Sequence, residues 1–246
     1  MKKEEMAITV KDLHVYYRDM NRFSLKKGGL KARGSGKIFK AIKGVSFEVP
    51  KGQILGICGK NGSGKSTMLR AISGIFSADS GSINLHGNSI SLLSIGVGFQ
   101  KQLTGYENIF LSGMLLGYSK EQIEEKVNDI IEFSELGDFV YRPVRSYSSG
   151  MYSKLAFSIT AILETDIMLI DEVLSVGDIH FKEKSYNKMR ELISNDERTV
   201  VIVSHNSKTI KELCDKVIWL HDGLIKDEGD PEIIMDKYEA FMRNEG

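Results

Sequence analysis

The sequence predicts an α/β fold: a mostly parallel core sheet, an antiparallel β element beside it, and an inserted helical subdomain. Three observations predict it. Short, wholly apolar runs such as Ile54–Cys58, Ile167–Ile170 and Val200–Val203 read as buried strands of a parallel sheet. From about residue 105 to residue 163 the apolar residues recur instead every three to four positions, the period of helices. The run Ile54–Cys58 also leads directly into a glycine-rich stretch, Gly59-Lys60-Asn61-Gly62-Ser63-Gly64-Lys65-Ser66-Thr67, after which Met68, Leu69, Ile72, Ile75 and Phe76 fall at helical spacing.

In chain order, residues 7–17 alternate as a strand, and Val45–Val49 and Ile54–Ile57 flank a Pro50-Lys51-Gly52 turn, which gives the antiparallel element. Residues 22–43 hold eight basic side chains and no acidic one, and read as a basic, flexible insertion. Such a stretch is a solvated loop, or else a surface for lipid phosphates or a polyanionic substrate. The helical subdomain, about 105–163, carries Leu111, Leu115 and Leu116, then Ile123, Val127, Ile130, Ile131 and Phe133 on its apolar faces. Val217–Leu220 and Leu224–Ile225 flank His221-Asp222-Gly223, a hairpin signal. Residues 231–243 form a last helix. With no internal repeat, residues 1–246 read as a single domain.

Composition narrows the function. The 33 basic and 33 acidic side chains of this 246-residue chain cancel, so no electrostatic bias toward nucleic acid exists. Cys58 and Cys214 are the only cysteines and their spacing suggests neither a metal site nor a redox pair, which fits a reducing compartment. The N-terminus lacks the apolar core of a signal peptide, and no run approaches the roughly 18 apolar residues of a membrane helix.

The tetrapeptide GSGK occurs twice, at residues 34–37 and 62–65. A phosphate-binding loop needs G-x-x-x-x-G-K-[ST]: glycines so that backbone N–H groups converge on phosphate oxygens, a Lys for the terminal phosphates, and a hydroxyl for Mg²⁺. It must also leave a strand and open a helix, whose dipole favours the anion. The first copy has Lys31 for the leading Gly, Ile38 for the hydroxyl residue, and no strand before it. The second copy fits throughout, with Gly59, Gly64, Lys65 and Ser66 in place. It is the nucleotide loop.

Four further stretches carry chemistry. Ile167–Ile170 ends in Asp171-Glu172; a strand beside the loop strand would put Asp171 near Mg²⁺ and Glu172 near an attacking water, where the bland reading is two acids solvating a strand end. Ser148, in Ser146-Tyr147-Ser148-Ser149-Gly150-Met151, reads on its own as the N-cap of a helix running through Leu155, Ile159 and Ile162. Val200–Val203 ends in Ser204-His205-Asn206, and a lone His there reads as structural. Ser175-Val176-Gly177-Asp178 reads as a turn.

Together and in this order these stretches resemble the nucleotide-binding domain of ATP-binding cassette (ABC) transporters, over nearly the whole chain. GKNGSGKST is similar to its Walker A motif, SYSSGM to its signature, IMLIDE to Walker B, SVGD to the D-loop and His205 to the switch histidine. The resemblance implies ATP and Mg²⁺ as ligands: Gly59, Lys60, Asn61, Gly62, Ser63, Gly64, Lys65, Ser66 and Thr67 around the phosphates, Ser66, Asp171 and a Q-loop glutamine at the metal. It implies Glu172 as general base and His205 on the γ-phosphate. Ser148, Ser149 and Gly150 would meet the γ-phosphate held by a second copy, in a head-to-tail homodimer. The signature here is YSSGM where LSGGQ is usual, but Ser148 and Gly150 are kept. In GVGFQKQLT the Gln-to-Leu-Thr spacing is shorter than in most relatives; Gln100 is preferred to Gln102. The adenine-stacking aromatic is Phe39, with Tyr16 or Tyr17 as alternatives.

LTGYENIFLSGMLLG, IIEFSELGDFVYRPVRSYSSGM, KLAFSI and DEVLSVGD resemble one branch, the ATPase subunits of exporters for lipid-linked polysaccharides, O-antigen and teichoic acid; the basic insertion is typical of it too. The chain has no room for the C-terminal carbohydrate-binding domain of some members, which points to the short form. The implied function is an ATPase on the cytoplasmic face of the cell membrane, held there by integral-membrane permease subunits, two per dimer. The permease carries the lipid-linked polysaccharide, and movement at residues 96–117 drives it outward. The alternatives are an ABC ATPase for another exported or imported substrate, or one outside transport. A chromosome ATPase would need a coiled-coil insertion, and a translation factor two cassettes.

Overall fold

The computed structural model describes residues 5–18, 38–93, 98–171, 177–193, 198–204 and 206–244. Nine strands and seven α-helices are defined among them: β1 (Met6–Arg18), β2 (Ile38–Pro50), β3 (Ile54–Cys58), α1 (Lys65–Ile72), β4 (Ser80–Asn84), β5 (Ile90–Leu93), α2 (Gly105–Leu115), α3 (Lys120–Ser134), α4 (Ser149–Ile162), β6 (Ile167–Ile170), α5 (Ile179–Ile193), β7 (Thr199–Val203), α6 (Ser207–Leu213), β8 (Lys216–His221), β9 (Leu224–Gly229) and α7 (Pro231–Asn244). Two 3₁₀ turns, Gly137–Tyr141 and Val144–Ser146, join α3 to α4.

The strands form two sheets. One is antiparallel, in the order β2-β1-β4, with Val10 opposite Phe47 and Val15 opposite Ile42. The other has the order β5-β6-β7-β3-β8-β9; it is parallel through β8, and β9 closes it antiparallel. Apolar alternation explains the layers. Leu55, Ile57, Leu169, Val201 and Ile218 point from the parallel sheet toward Ile8, Val10, Leu13, Val15 and Ile42 of the antiparallel one, with Met68, Leu69 and Ile72 of α1 filling the same core. Met168, Ile170, Val200, Ile202 and Trp219 point the other way, onto Phe181, Met189 and Leu192 of α5 and Ile234 and Met235 of α7. A third core, Ile109, Ile123, Val127, Ile130, Leu155 and Ile159, belongs to α2, α3 and α4. No helix among the described residues is long and apolar enough to cross a membrane.

Three sequence readings are corrected. The basic insertion assigned to 22–43 overlaps β2: residues 38–43 are paired strand, with Ile42 opposite Val15 and Phe39 opposite Tyr17. Residues 22–37 lie outside the described residues. The helix read through Phe76 stops at Ile72, because Ser73 caps it and Gly74 turns left-handed at φ +76°; Ile75 lies beyond, 46% exposed. The strand ending at Asp171 is not beside the loop strand. β7 lies between them.

Candidate functional site

β3 delivers the loop from a buried base, with Leu55, Gly56, Ile57 and Cys58 all buried, and α1 takes the chain away at Lys65. Between them the backbone takes conformations that need glycine. Gly59, Gly62 and Gly64 have φ of +146°, +80° and +107°. Space forbids a side chain as well: a Cβ on Gly59 would lie 2.1 Å from the carbonyl oxygen of Leu220, and one on Gly64 2.7 Å from that of Ala41. The loop is pinned from outside by the β8–β9 turn, since Gly223 N–H donates to Ser63 O (3.0 Å) and Lys43 N–H to Gly223 O (2.9 Å).

Lys65 is 7% exposed, and its Nζ donates to the carbonyls of Gly59 (2.7 Å) and Lys60 (3.1 Å), so the ammonium lies inside the loop it opens from. No side chain caps α1, and its first turn holds no acid, leaving the positive end of the helix facing the loop. The Ser63 hydroxyl is 1% exposed and has no hydrogen-bond partner among the described residues. A buried hydroxyl in that state is unfavourable unless a ligand completes it.

Ser66 Oγ donates to Asp171 Oδ1 at 3.4 Å, although β3, which leads into the loop before Ser66, and β6, which ends just before Asp171, are not neighbours. All strands from β5 to β8 run parallel, so their C-terminal ends share one edge of the sheet, and ligands of such sheets bind there. Two oxygens on an octahedral Mg²⁺ at about 2.1 Å stand about 3 Å apart, so this hydroxyl and carboxylate fit that ion. Thr67 bonds the Tyr17 hydroxyl (3.0 Å), which fixes the ring beside the loop, with Phe76 edge-on at 5.9 Å and Phe39 tilted at 6.5 Å. Phe39 is 59% exposed and Tyr17 39%. Tyr16 is turned elsewhere, onto His14 Nδ1 (2.9 Å) and under Lys40.

Gln100 has an exposed side chain, and its backbone is held by Asn108, which accepts from Gln100 N–H (2.7 Å) and donates to Gln100 O (3.1 Å) and Thr104 O (2.8 Å). Asn108 is fully buried. Sequence reading passes over it as one polar residue within an apolar helical run. Its neighbours do carry a signal, since Thr104-x-x-Glu107 is a capping box and forms one.

Ser148 caps α4 by accepting from Met151 N–H at 3.2 Å, and Ser148 and Ser149 are exposed. A Cβ on Gly150 would meet nothing closer than Ser148 Oγ, at 3.8 Å. The bland N-cap reading is therefore true of the single chain. Among the described residues no hydrogen bond joins Ser148, Ser149, Gly150 or the Gln100 side chain to the loop. Glu172 and His205 lie outside the described residues.

One cluster near the signature has no sequence signal. Lys154 of α4 pairs with Asp178 Oδ2 (2.8 Å) and Glu135 Oε2 (3.2 Å), and Glu135 Oε1 takes Lys184 (3.0 Å) and His180 (3.5 Å) of α5. The Lys154 hydrogen bond, with the N–H of Phe181, holds Asp178 at about 2. Burial would raise Glu135, but bonds from Lys184 and Lys154 outweigh it and keep the carboxyl below its usual range.

Residues 42–175 match the family model described as ABC transporter. Among similar proteins, the O-antigen export system ATP-binding protein RfbB of Klebsiella pneumoniae is 42% identical, over 84% of this chain and 84% of the relative. The teichoic acids export ATP-binding protein TagH of Bacillus anthracis is 43% identical over 85% of this chain, but the chain spans only 38% of that relative's length. The fold is that of the structure titled as a dimeric post-hydrolysis state of the ATP-binding cassette MJ0796 bound to ADP and Pi, with a TM-score of 0.70 at 21% identity over 91% of this chain and 98% of the other.

Proposed function

The chain belongs to the ABC transporter family, and from that premise we propose that it is the ATP-hydrolysing subunit of an exporter for a lipid-linked cell-surface polysaccharide. The observation that carries the ATPase part is the loop itself: a glycine cradle with Lys65 folded into it, an uncapped helix end, and Ser66 facing Asp171. The export part rests on the likeness to the O-antigen and teichoic acid proteins.

The N–H groups of residues 60–66 and the Lys65 ammonium bind and orient the phosphates, and the Ser63 hydroxyl gains a partner there. Ser66 and Asp171 would hold Mg²⁺, which when bound neutralises phosphate charge. Glu172 accepts a proton as water attacks the γ-phosphorus; the bond from that phosphorus to the bridging oxygen breaks, leaving ADP and phosphate. His205 contacts the γ-phosphate. Phe39 is the aromatic taken to meet adenine, with Tyr17, whose hydroxyl bonds Thr67, and Tyr16, whose hydroxyl bonds His14, as the alternatives. Gln100 would join Ser66 and Asp171 as the Q-loop ligand of that ion.

Ser148, Ser149 and Gly150 contribute to the site of a second copy. A glycine within a helix is destabilising by roughly 0.5–1 kcal/mol against alanine, and among the described residues nothing crowds position 150; close approach from outside is the reason. The homodimer joins integral-membrane permease subunits, which hold it at the cytoplasmic face of the membrane, and it uses no nucleic acid.

The test is a tagged Glu172→Gln protein, purified with ATP from membranes of its own host. Hydrolysis should fall by about 10²–10⁴ while ATP binding persists, and mass spectrometry should find a multi-helix permease with a polyprenyl-linked glycan. Near-normal turnover would overturn the base assignment; recovery with ribosomes or DNA in place of a permease would overturn export.

A further inference from the structure

The backbone of Glu135 has φ +58°, the left-handed conformation, at the point where α3 ends. Glycine usually takes that position, because a Cβ is strained there. Here it holds a glutamate whose carboxylate is shared by Lys154 of α4 and by Lys184 and His180 of α5. Lys154, 14% exposed, stands on α4 five residues after Ser149 of the signature, and it bridges Glu135 to Asp178. Lys184 is held additionally by the carbonyl of Phe133 (3.0 Å) and lies over its ring. Asp178 in turn caps α5 through the N–H of Phe181 (3.0 Å). At Gly177, with φ +73°, a Cβ would press on Lys154 Cε at 3.0 Å, so the glycine leaves the room that the lysine's stem occupies.

This arrangement is more than a surface ion pair. Exposed pairs contribute little because each long side chain must be ordered for a single screened contact. Here one carboxylate orders two lysines, and both are also packed on aromatic rings: Lys154 lies over Phe181 and Lys184 over Phe133. The elements tied together are the end of α3, the helix that opens with Ser148–Gly150, and the start of α5 at Asp178. In the proposed dimer these must be presented to the partner's nucleotide in one fixed relation.

We propose that Glu135 is a positioning residue for ATP hydrolysis: by clamping Lys154, and through it Asp178, it makes the signature end of α4 and the start of α5 close on the nucleotide as one body. The inference rests on the ATPase reading above. The strained backbone separates it from a purely structural role. Glu135→Gly relieves the left-handed strain but removes the clamp, so a structural role and a positioning role move different observables.

With the purified full chain, melting temperature, ATP affinity and steady-state hydrolysis are measured for wild type, Glu135→Gly, Glu135→Gln, Lys154→Met and Lys154→Arg. The clamp requires Glu135→Gly to melt within a few degrees of wild type and bind ATP within about 2-fold, while kcat falls by about 10-fold. Lys154→Met should lose kcat similarly, and Lys154→Arg should regain at least half of it. The proposal fails if Glu135→Gly and Lys154→Met both keep kcat within about 2-fold, or if the kcat loss merely follows a loss of ATP affinity or melting temperature. A wild-type chain that does not hydrolyse ATP would sink the ATPase reading itself, and the clamp with it.

Discussion

The loop at Gly59–Gly64 and the turn at Ser148–Gly150 are both glycine-containing entries to helices, yet they are built on opposite terms. Gly59 and Gly64 of the loop are demanded by the chain's own atoms: Leu220 O stands 2.1 Å from where a Gly59 Cβ would be, and Ala41 O 2.7 Å from a Gly64 Cβ. At Gly150 the nearest atom is 3.8 Å away and belongs to a neighbouring serine. One region takes its shape from its own fold. The other is folded without such a demand, and in the proposed dimer its chemistry belongs to the surface of a second chain.

The comparison breaks most sharply at Lys65. Lys65→Met removes the ammonium buried inside the loop, and hydrolysis should fall by about 10²–10³, read as kcat, with melting little changed. Gly59→Ala should damage both fold and function, because the added methyl meets backbone at a positive φ: about 3 kcal/mol of stability should be lost in denaturant titration, along with ATP binding. Gly150→Ala should do the reverse. Stability should rise by up to about 1 kcal/mol, ATP affinity of the single chain should hold, and kcat should fall as the dimer fails to close. If Gly150→Ala leaves kcat intact, the contrast between the two regions is wrong.

The smallest effect concerns Cys58, immediately before Gly59, and Cys214. Burial pushes both thiols up to about 12. Their folded values lie above the unfolded value of about 8.5. Their contribution is therefore complete below that pH and is lost as pH rises through about 9 toward 12. Neutral-pH alkylation of the native chain should be slow at both, and melting temperature should be flat from pH 6 to pH 8 on their account before falling at higher pH.

Much of the fold is legible in the sequence because its period is local. The apolar runs that form β3, β6 and β7 show in four or five residues, and the residue types at Lys31 and Ile38, with no strand before the loop, reject the first GSGK. Strand order is not legible: Ile167–Ile170 reads the same whether it lies beside β3 or, as it does, one strand away. The site divides similarly. Walker A glycines have fixed spacing and are readable one by one. Asn108 and the Glu135–Lys154–Asp178 group are not, since each links elements whose meeting depends on how the helices pack.

By itself the sequence determined the phosphate loop, the acidic strand end, the helical insertion and the family, because each rests on residue type at short range. Only the tertiary structure decided that β7 parts β6 from β3 while Ser66 and Asp171 still meet, that residues 38–43 are strand, and that Tyr17 is held by Thr67. It alone showed two lysines gathered on one strained glutamate. The physical reason is the same throughout: backbone conformation and burial period are written locally, whereas charge pairing and sheet order depend on which surfaces the collapsed chain brings within a few ångströms.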